Sequence, residues 1–269
     1  MPMAGALRGA LGLVVLLLMA AGAGRVIGVG PLSGAVPPDQ VTDPREMIAR
    51  SLQATLDAAS VHVGGTLAGT LPGTLLERNE AVVDLAGTTL TADLRPRDAR
   101  TQARVTAPSL GGDLETITVW TDAWYRSAGG PWQKVPVGEA TSGTGIDVNP
   151  LTLVDRMRSY LATSGRTPTV TDVPCASASG RCHQVRLDAG TDPAGVLTAL
   201  LPGATAGSLP PVSTVVTLQT DALTLRPASL TIDAASPDGT IDLRLDLVFA
   251  GWDGPVLIEE PPEPPASPG

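Results

Sequence analysis

Large rings and basic side chains are what this 269-residue sequence has least of. Phe249 is the only phenylalanine, and with two tyrosines and four tryptophans the aromatics reach 3%. A core must therefore be built from Leu, Val, Ile and Ala, and such side chains leave gaps between layers more readily than rings do. Lysine occurs once, at Lys134, and the net charge is −9. No basic stripe is available to neutralise phosphates, which excludes the electrostatic footprint of a nucleic-acid binder. The spread-out acidity reads as a solvated surface. His62 and His183 are the only histidines. Two are too few for most metal and triad mechanisms, and no cofactor or metal is expected.

The motif search is equally bare. Lys134 sits in Gln-Lys-Val, so no phosphate-binding Gly-Lys-Ser/Thr loop exists. No Gly-x-Gly-x-x-Gly follows a strand, and no Gly-x-Ser-x-Gly elbow or His-Glu-x-x-His pair occurs. Asp242 and Asp246 share a strand face, but Arg244 stands between them, which is a surface charge pattern rather than a glycosidase pair. The chain is not expected to be an enzyme. Trp120, Trp124, Tyr125 and Trp132 cluster in one region, either as core and rim packing or as the rim of a ligand opening.

What is present begins with an export signal. Arg8, an apolar run over 10–24, and the small residues Ala21, Gly22 and Ala23 have the layout of a secretory signal. The run is shorter than the ~20 residues that cross a bilayer. If Arg25 is tolerated near the interface, residues 10–32 serve instead as an uncleaved anchor. Either alternative places the body of the protein outside the cytoplasm. The division expected is 1–32 signal or anchor, 40–258 one domain, and 259–269 a proline-rich disordered tail. In an oxidising compartment Cys175 and Cys182, the only cysteines, are expected to pair. The spacer between them is turn-like and its flanks alternate like strands, so the bridge closes a hairpin tip.

Three helices announce themselves by an N-cap residue followed by proline: Asp43-Pro44 (with Glu46 at the capping-box position), Asn149-Pro150 and Asp192-Pro193. Their apolar faces are Ile48, Leu52, Leu56 and Ala59 with Met47 beside them; then Leu153, Val154, Met157, Tyr160 and Leu161; then Val196, Leu197, Leu200 and Leu201. Most of the rest reads as strands. Val61, Val63, Leu67 and Leu71 alternate with polar or small residues, and Ile241, Leu243, Leu245, Leu247 and Phe249 with Asp242, Arg244 and Asp246. Further candidates cover 81–94, 101–107, 114–120, 123–126, 132–137 and 223–225. Asp238-Gly239 marks a hairpin to Leu230, Ile232 and Ala234. Short turns between alternating segments imply an antiparallel sheet with one wet face, covered on the other by the helices: a two-layer α+β fold.

The order and spacing of several segments resemble the LolA-like superfamily, and within it the LppX/LprA/LprF/LprG group of envelope proteins. The carrying segments are Asp43-Pro-Arg-Glu-Met-Ile through Ser60-Val-His-Val-Gly-Gly-Thr-Leu, then Trp124-Tyr-Arg-Ser-Ala-Gly-Gly-Pro-Trp, then Cys182-His-Gln-Val-Arg-Leu, and Gly251-Trp-Asp-Gly-Pro-Val. The resemblance spans about 40–260. It implies a single curved antiparallel sheet, a half-barrel of about 10–11 strands, with about three helices on its concave apolar face. It further implies a non-enzymatic carrier that binds lipids, glycolipids or lipoproteins by their acyl chains, between sheet and helices. Expected partners are acylated molecules, the cell membrane and an envelope transporter. The lining is expected from Ile48, Leu52, Leu56, Leu153, Met157, Leu161, Val196, Leu197 and Leu200. One feature departs from the group: no cysteine precedes Cys175, so a lipidated cysteine after the signal is impossible here. The alternative is an envelope interaction module whose core is filled and which takes no ligand.

Overall fold

The computed structural model describes residues 41–73, 79–120, 122–136, 166–175, 180–191 and 211–262. One α-helix lies among them, α1 (Pro44–Leu56). Asp43 caps it, its carboxylate accepting from the Arg45 amide at 3.0 Å, with Pro44 in the first turn where no donor is lost. Two further helices expected at 149–161 and 192–201 lie outside the described residues.

Twelve strands follow: β1 (Val61–Pro72), β2 (Val82–Asp84), β3 (Thr88–Arg95), β4 (Arg100–Ala107), β5 (Gly112–Val119), β6 (Asp122–Ser127), β7 (Gln133–Pro136), β8 (Thr169–Pro174), β9 (Arg181–Thr191), β10 (Ser213–Asp221), β11 (Pro227–Ala235) and β12 (Asp242–Ala250). They form one antiparallel sheet in the order β7-β6-β5-β4-β3-β1-β12-β11-β10-β9-β8, with β2 pairing β1 off that path. A sheet of this many twisted strands curls rather than staying flat.

The strand count exceeds the expected 10–11 because 81–94 is two strands, parted at Leu85–Gly87, where Gly87 takes φ +78°, and because β10 is a strand that the sequence reading did not single out. The segment 223–225 is not a strand. Asp221 accepts from the amides of Leu223 and Thr224 and from the Thr224 hydroxyl, which folds it into the β10–β11 turn. The Asp238-Gly239 hairpin joins β11 to β12 as expected, in the register Ile232 opposite Leu245. Cys175 and Cys182 are bridged (S–S 2.04 Å, Cα–Cα 5.0 Å), closing the β8–β9 hairpin.

Alternation separates the two faces. The inner face carries Val61, Val63, Leu67, Leu90, Ala92, Ala103, Val105, Leu243, Leu245, Leu247, Ile232 and Leu187, all buried in one cluster. The outer face carries cross-strand ion pairs: His62 with Asp93, Arg104 with Asp113, Arg126 with Glu115, and Arg244 with Asp233; Arg244 also pairs with Asp246 along β12. Exposed pairs of this kind contribute little stability each and mainly keep the face wet.

The two ends of the sheet differ. The near end collects the α1–β1, β3–β4, β5–β6, β8–β9 and β10–β11 connections and the segment after β12; the far end collects the β2–β3, β4–β5, β6–β7 and β11–β12 turns. After β12 the chain turns under the near end and onto the outer face. Ile258 is fully buried there against Ile117, Val119 and Trp124. Arg100 donates to the Ile258 carbonyl at 2.7 Å, and the Ser60 hydroxyl to the Gly254 carbonyl at 2.7 Å.

Candidate functional site

The site with chemical character is the inner face under α1. The helix packs on β9, β10 and β11 and on the Pro96–Asp98 turn. Its most buried stripe is Met47, Ser51 and Thr55, one residue per turn, rather than the apolar line read from the sequence. The small hydroxyl side chains let the helix sit close to the sheet: Ser51 Oγ donates to Thr220 Oγ1 at 3.5 Å, and Thr55 Oγ1 to the Ser51 carbonyl at 3.1 Å. Met47 joins Val41, Val185 and Leu225 in a second apolar cluster.

Of the expected lining, Leu56 is buried, Ile48 is half-buried and packed against both clusters, and Leu52 is half-buried. Ala59 lies beyond the helix and is exposed, its amide donating to Asp253 at 2.7 Å. Leu153, Met157, Leu161, Val196, Leu197 and Leu200 lie outside the described residues. The sheet adds lining that sequence reasoning missed. Val216, Leu230 and Phe249 point to the inner face yet stay only half-buried beside fully buried neighbours. The middle of the face is small: Ala92 and Ala103 pair across β3 and β4, and Gly65 on β1 lies one inward position along, opposite Leu90. Period-two alternation marks such residues as inward, but cannot say which inward positions remain accessible.

One corner of this face gathers polar groups. His183 Nδ1 meets Asp172 Oδ1 at 2.8 Å, and that contact is the main reason the Asp172 carboxyl is held below its usual range. Thr220 stands opposite His183 in the β9–β10 register, with Ser51 beside it. Serine, histidine and aspartate are thus neighbours, but no hydrogen bond joins the imidazole to either hydroxyl. Ser51 is fully buried, and Thr220 Oγ1 donates to the Arg226 carbonyl at 3.3 Å. A hydroxyl nucleophile needs its base within hydrogen-bond reach, and this corner does not provide that. Among the described residues no group of three or more His, Cys, Asp or Glu side chains could hold a metal ion.

The aromatic region splits by face. Trp124 is buried on the outer face beside Ile117, Val119 and Ile258, with Lys134 over its ring at 5.1 Å. Trp132 packs at the edge of that cluster under Arg126, at 4.6 Å. Tyr125 faces inward and its hydroxyl donates to Gln133. Trp120 alone is largely exposed.

No family model matches the sequence, and no curated protein matches it. Solved structures do. The crystal structure of the Mycobacterium tuberculosis lipoprotein LppX is similar over 80% of this chain and 98% of its own, with a TM-score of 0.51 at 15% identity. LprF from Mycobacterium bovis is similar over 81% and 96%, with a TM-score of 0.46 at 18% identity. A LolA superfamily protein from Nitrosomonas europaea spans the same share, with a TM-score of 0.27 at 9% identity. At these identities the likeness is one of backbone architecture. The wide antiparallel sheet with a helix on one face is the fold shared with LppX.

Proposed function

We propose that this protein is a non-enzymatic carrier of the cell envelope that binds the acyl chains of a lipid, glycolipid or lipoprotein between its sheet and helices. One observation carries the reading. Ile48 and Leu52 on α1 and Val216, Leu230 and Phe249 on the sheet form apolar surface on the inner face that is only half-buried, beside the fully buried Leu187, Ile232 and Leu247. Each CH₂ buried there would contribute ~0.8 kcal/mol, so a single acyl chain has enough to gain. The LppX-type fold supports the same reading. Export is supported by the sequence of residues 8–24. Among the described residues no helix is long and apolar enough to cross a membrane, so any anchoring would rest on the N-terminal run. Acylated molecules, the membrane that supplies them and an envelope transporter are the partners this role needs.

The test is native mass spectrometry of the chain purified from its own envelope, alongside Val216→Trp and Met157→Trp. A lipid adduct on the parent protein, lost in the Trp variants while the fold survives, is the expected result. Absence of any adduct, together with strong destabilisation by both substitutions, would show a filled core and favour an interaction module.

A further inference from the structure

On each of three neighbouring strands one inward position is only half-buried. On β10 it is Val216, with Thr214, Leu218 and Thr220 buried; on β11 it is Leu230, with Ala228, Ile232 and Ala234 buried; on β12 it is Phe249, with Leu243, Leu245 and Leu247 buried. The register puts these three in a line. Leu230 pairs with Leu247 on one side and with Leu218 on the other. Phe249 is two residues past Leu247, toward the near end, and Val216 is two residues before Leu218, toward the far end. Each step is thus a diagonal of roughly 7–8 Å, within reach of long or aromatic side chains. A half-buried apolar track runs obliquely from Phe249 to Val216. It does not continue, because the next diagonal positions, Ala189 on β9 and Val61 on β1, are buried.

Trp252 stands at the near end of this track. It packs against the same core and is half-buried like the other three. Its ring stacks on Phe249, with centroids 6.4 Å apart and planes at 18°. The Arg226 guanidinium lies over the indole at 5.3 Å and donates to the Asp253 carboxylate. The backbone that carries the indole is tied down. Gly251 and Asp253 take φ +61° and +56°, a conformation that glycine and aspartate adopt more readily than other residues. The Asp253 amide donates to the Ser60 carbonyl at 2.9 Å, and its carboxylate accepts from the Ala59 amide at 2.7 Å. The Ser60 hydroxyl donates to the Gly254 carbonyl at 2.7 Å.

The indole is therefore a side chain on an anchored pivot. Rotation about its own bonds uncovers Phe249 and breaks one ring stack and one cation–π contact, but no backbone hydrogen bond. Arg226 and Asp253 are both in part exposed, so their ion pair can open and re-form without leaving a buried charge unpaired.

We propose that Trp252 is the door by which an acyl chain enters and leaves this track, with Arg226 and Asp253 as its latch. The inference rests on the carrier reading and adds the route of exchange and the residue that controls it. The full chain is mixed with cis-parinaric acid, a linear acyl probe whose emission rises on leaving water, and stopped flow reads the association and dissociation rates. Trp252→Ala should raise both rates together, about ten-fold each, the effect of removing the ring stack and the cation–π contact from the closed state. Their ratio, the Kd, should stay level, because a door changes the barrier and not the free and bound states. Asp253→Asn keeps an acceptor for the Ala59 amide and suits the left-handed backbone while removing the ion pair. It should raise both rates about three-fold. A Kd weakened through dissociation alone would make Trp252 a wall of the site and overturn the door. Unchanged rates in Asp253→Asn, with Trp252→Ala unchanged or unfolded, would also overturn it. Failure of the parent chain to bind the probe would instead sink the carrier reading, and the door with it.

Discussion

Three glycines of β1 differ in what a single methyl group would meet, and they test the close packing of the central β1–β12 pair. At Gly64 a Cβ would find nothing within 4 Å; at Gly65 it would stand 2.6 Å from the Asp246 carbonyl oxygen and 2.6 Å from a Leu247 methyl; at Gly69 it would stand 1.8 Å from the Asp242 carbonyl oxygen. Gly69 also has φ +110°, whereas the other two have no such constraint. Gly64→Ala should therefore be neutral or stabilising by ~0.4–1 kcal/mol, because alanine has less unfolded-state entropy to lose. Gly65→Ala requires the two strands to part, since the ladder carbonyl cannot rotate away, and should cost ~1–3 kcal/mol. Gly69→Ala adds a left-handed penalty of ~1–2 kcal/mol to a broken ladder contact and should cost ~3 kcal/mol or more. Urea unfolding followed by tryptophan emission reads all three. Each kcal/mol should move Tm by ~2–4 °C in a domain of this size. If Gly65→Ala and Gly69→Ala are as stable as Gly64→Ala, then β12 does not approach β1 in this register and the inner face is not shaped as described.

Two other outcomes follow from the same structure. Ile258→Ala removes a fully buried side chain from the outer-face cluster and should cost ~2–3 kcal/mol, while leaving ligand binding on the opposite face unchanged; calorimetry with a binding assay separates the two effects. The carboxyls of Asp113, Asp172, Asp238, Asp246 and Asp253 are all held below their ordinary value of 3.8, by Arg104, His183, Ser236, Arg244 and the Ala59 amide respectively. Their folded values lie below the unfolded ones, so the stability they contribute is full above 3.8 and is lost as pH falls through the depressed values. Denaturant midpoints should stay level from neutrality to about pH 5 and fall below about pH 4, and a midpoint that rises on acidification would contradict the assignment.

The local elements were legible in the order of residues alone. Asp43-Pro44 fixes the start of α1 because a cap and a preset φ act within one turn, and Asp238-Gly239 fixes the β11–β12 turn for the same local reason. Alternation fixed which side chains of β1 and β12 point inward, since the strand period is two whatever the neighbours are. The Cys175–Cys182 bridge was legible because a short turn-like spacer joins two alternating segments. Other features depend on which elements meet across long stretches of chain, and follow from the fold. The helix buries Ser51 where Thr220 lies opposite it, a partner 169 residues away in the chain. Leu223 looked like strand until the Asp221 carboxylate folded its backbone into a turn. Trp120, Leu223 and Leu257 share no pattern in the sequence. They are exposed at the same end of the sheet because antiparallel pairing brings the β5–β6 turn, the β10–β11 turn and the chain after β12 there.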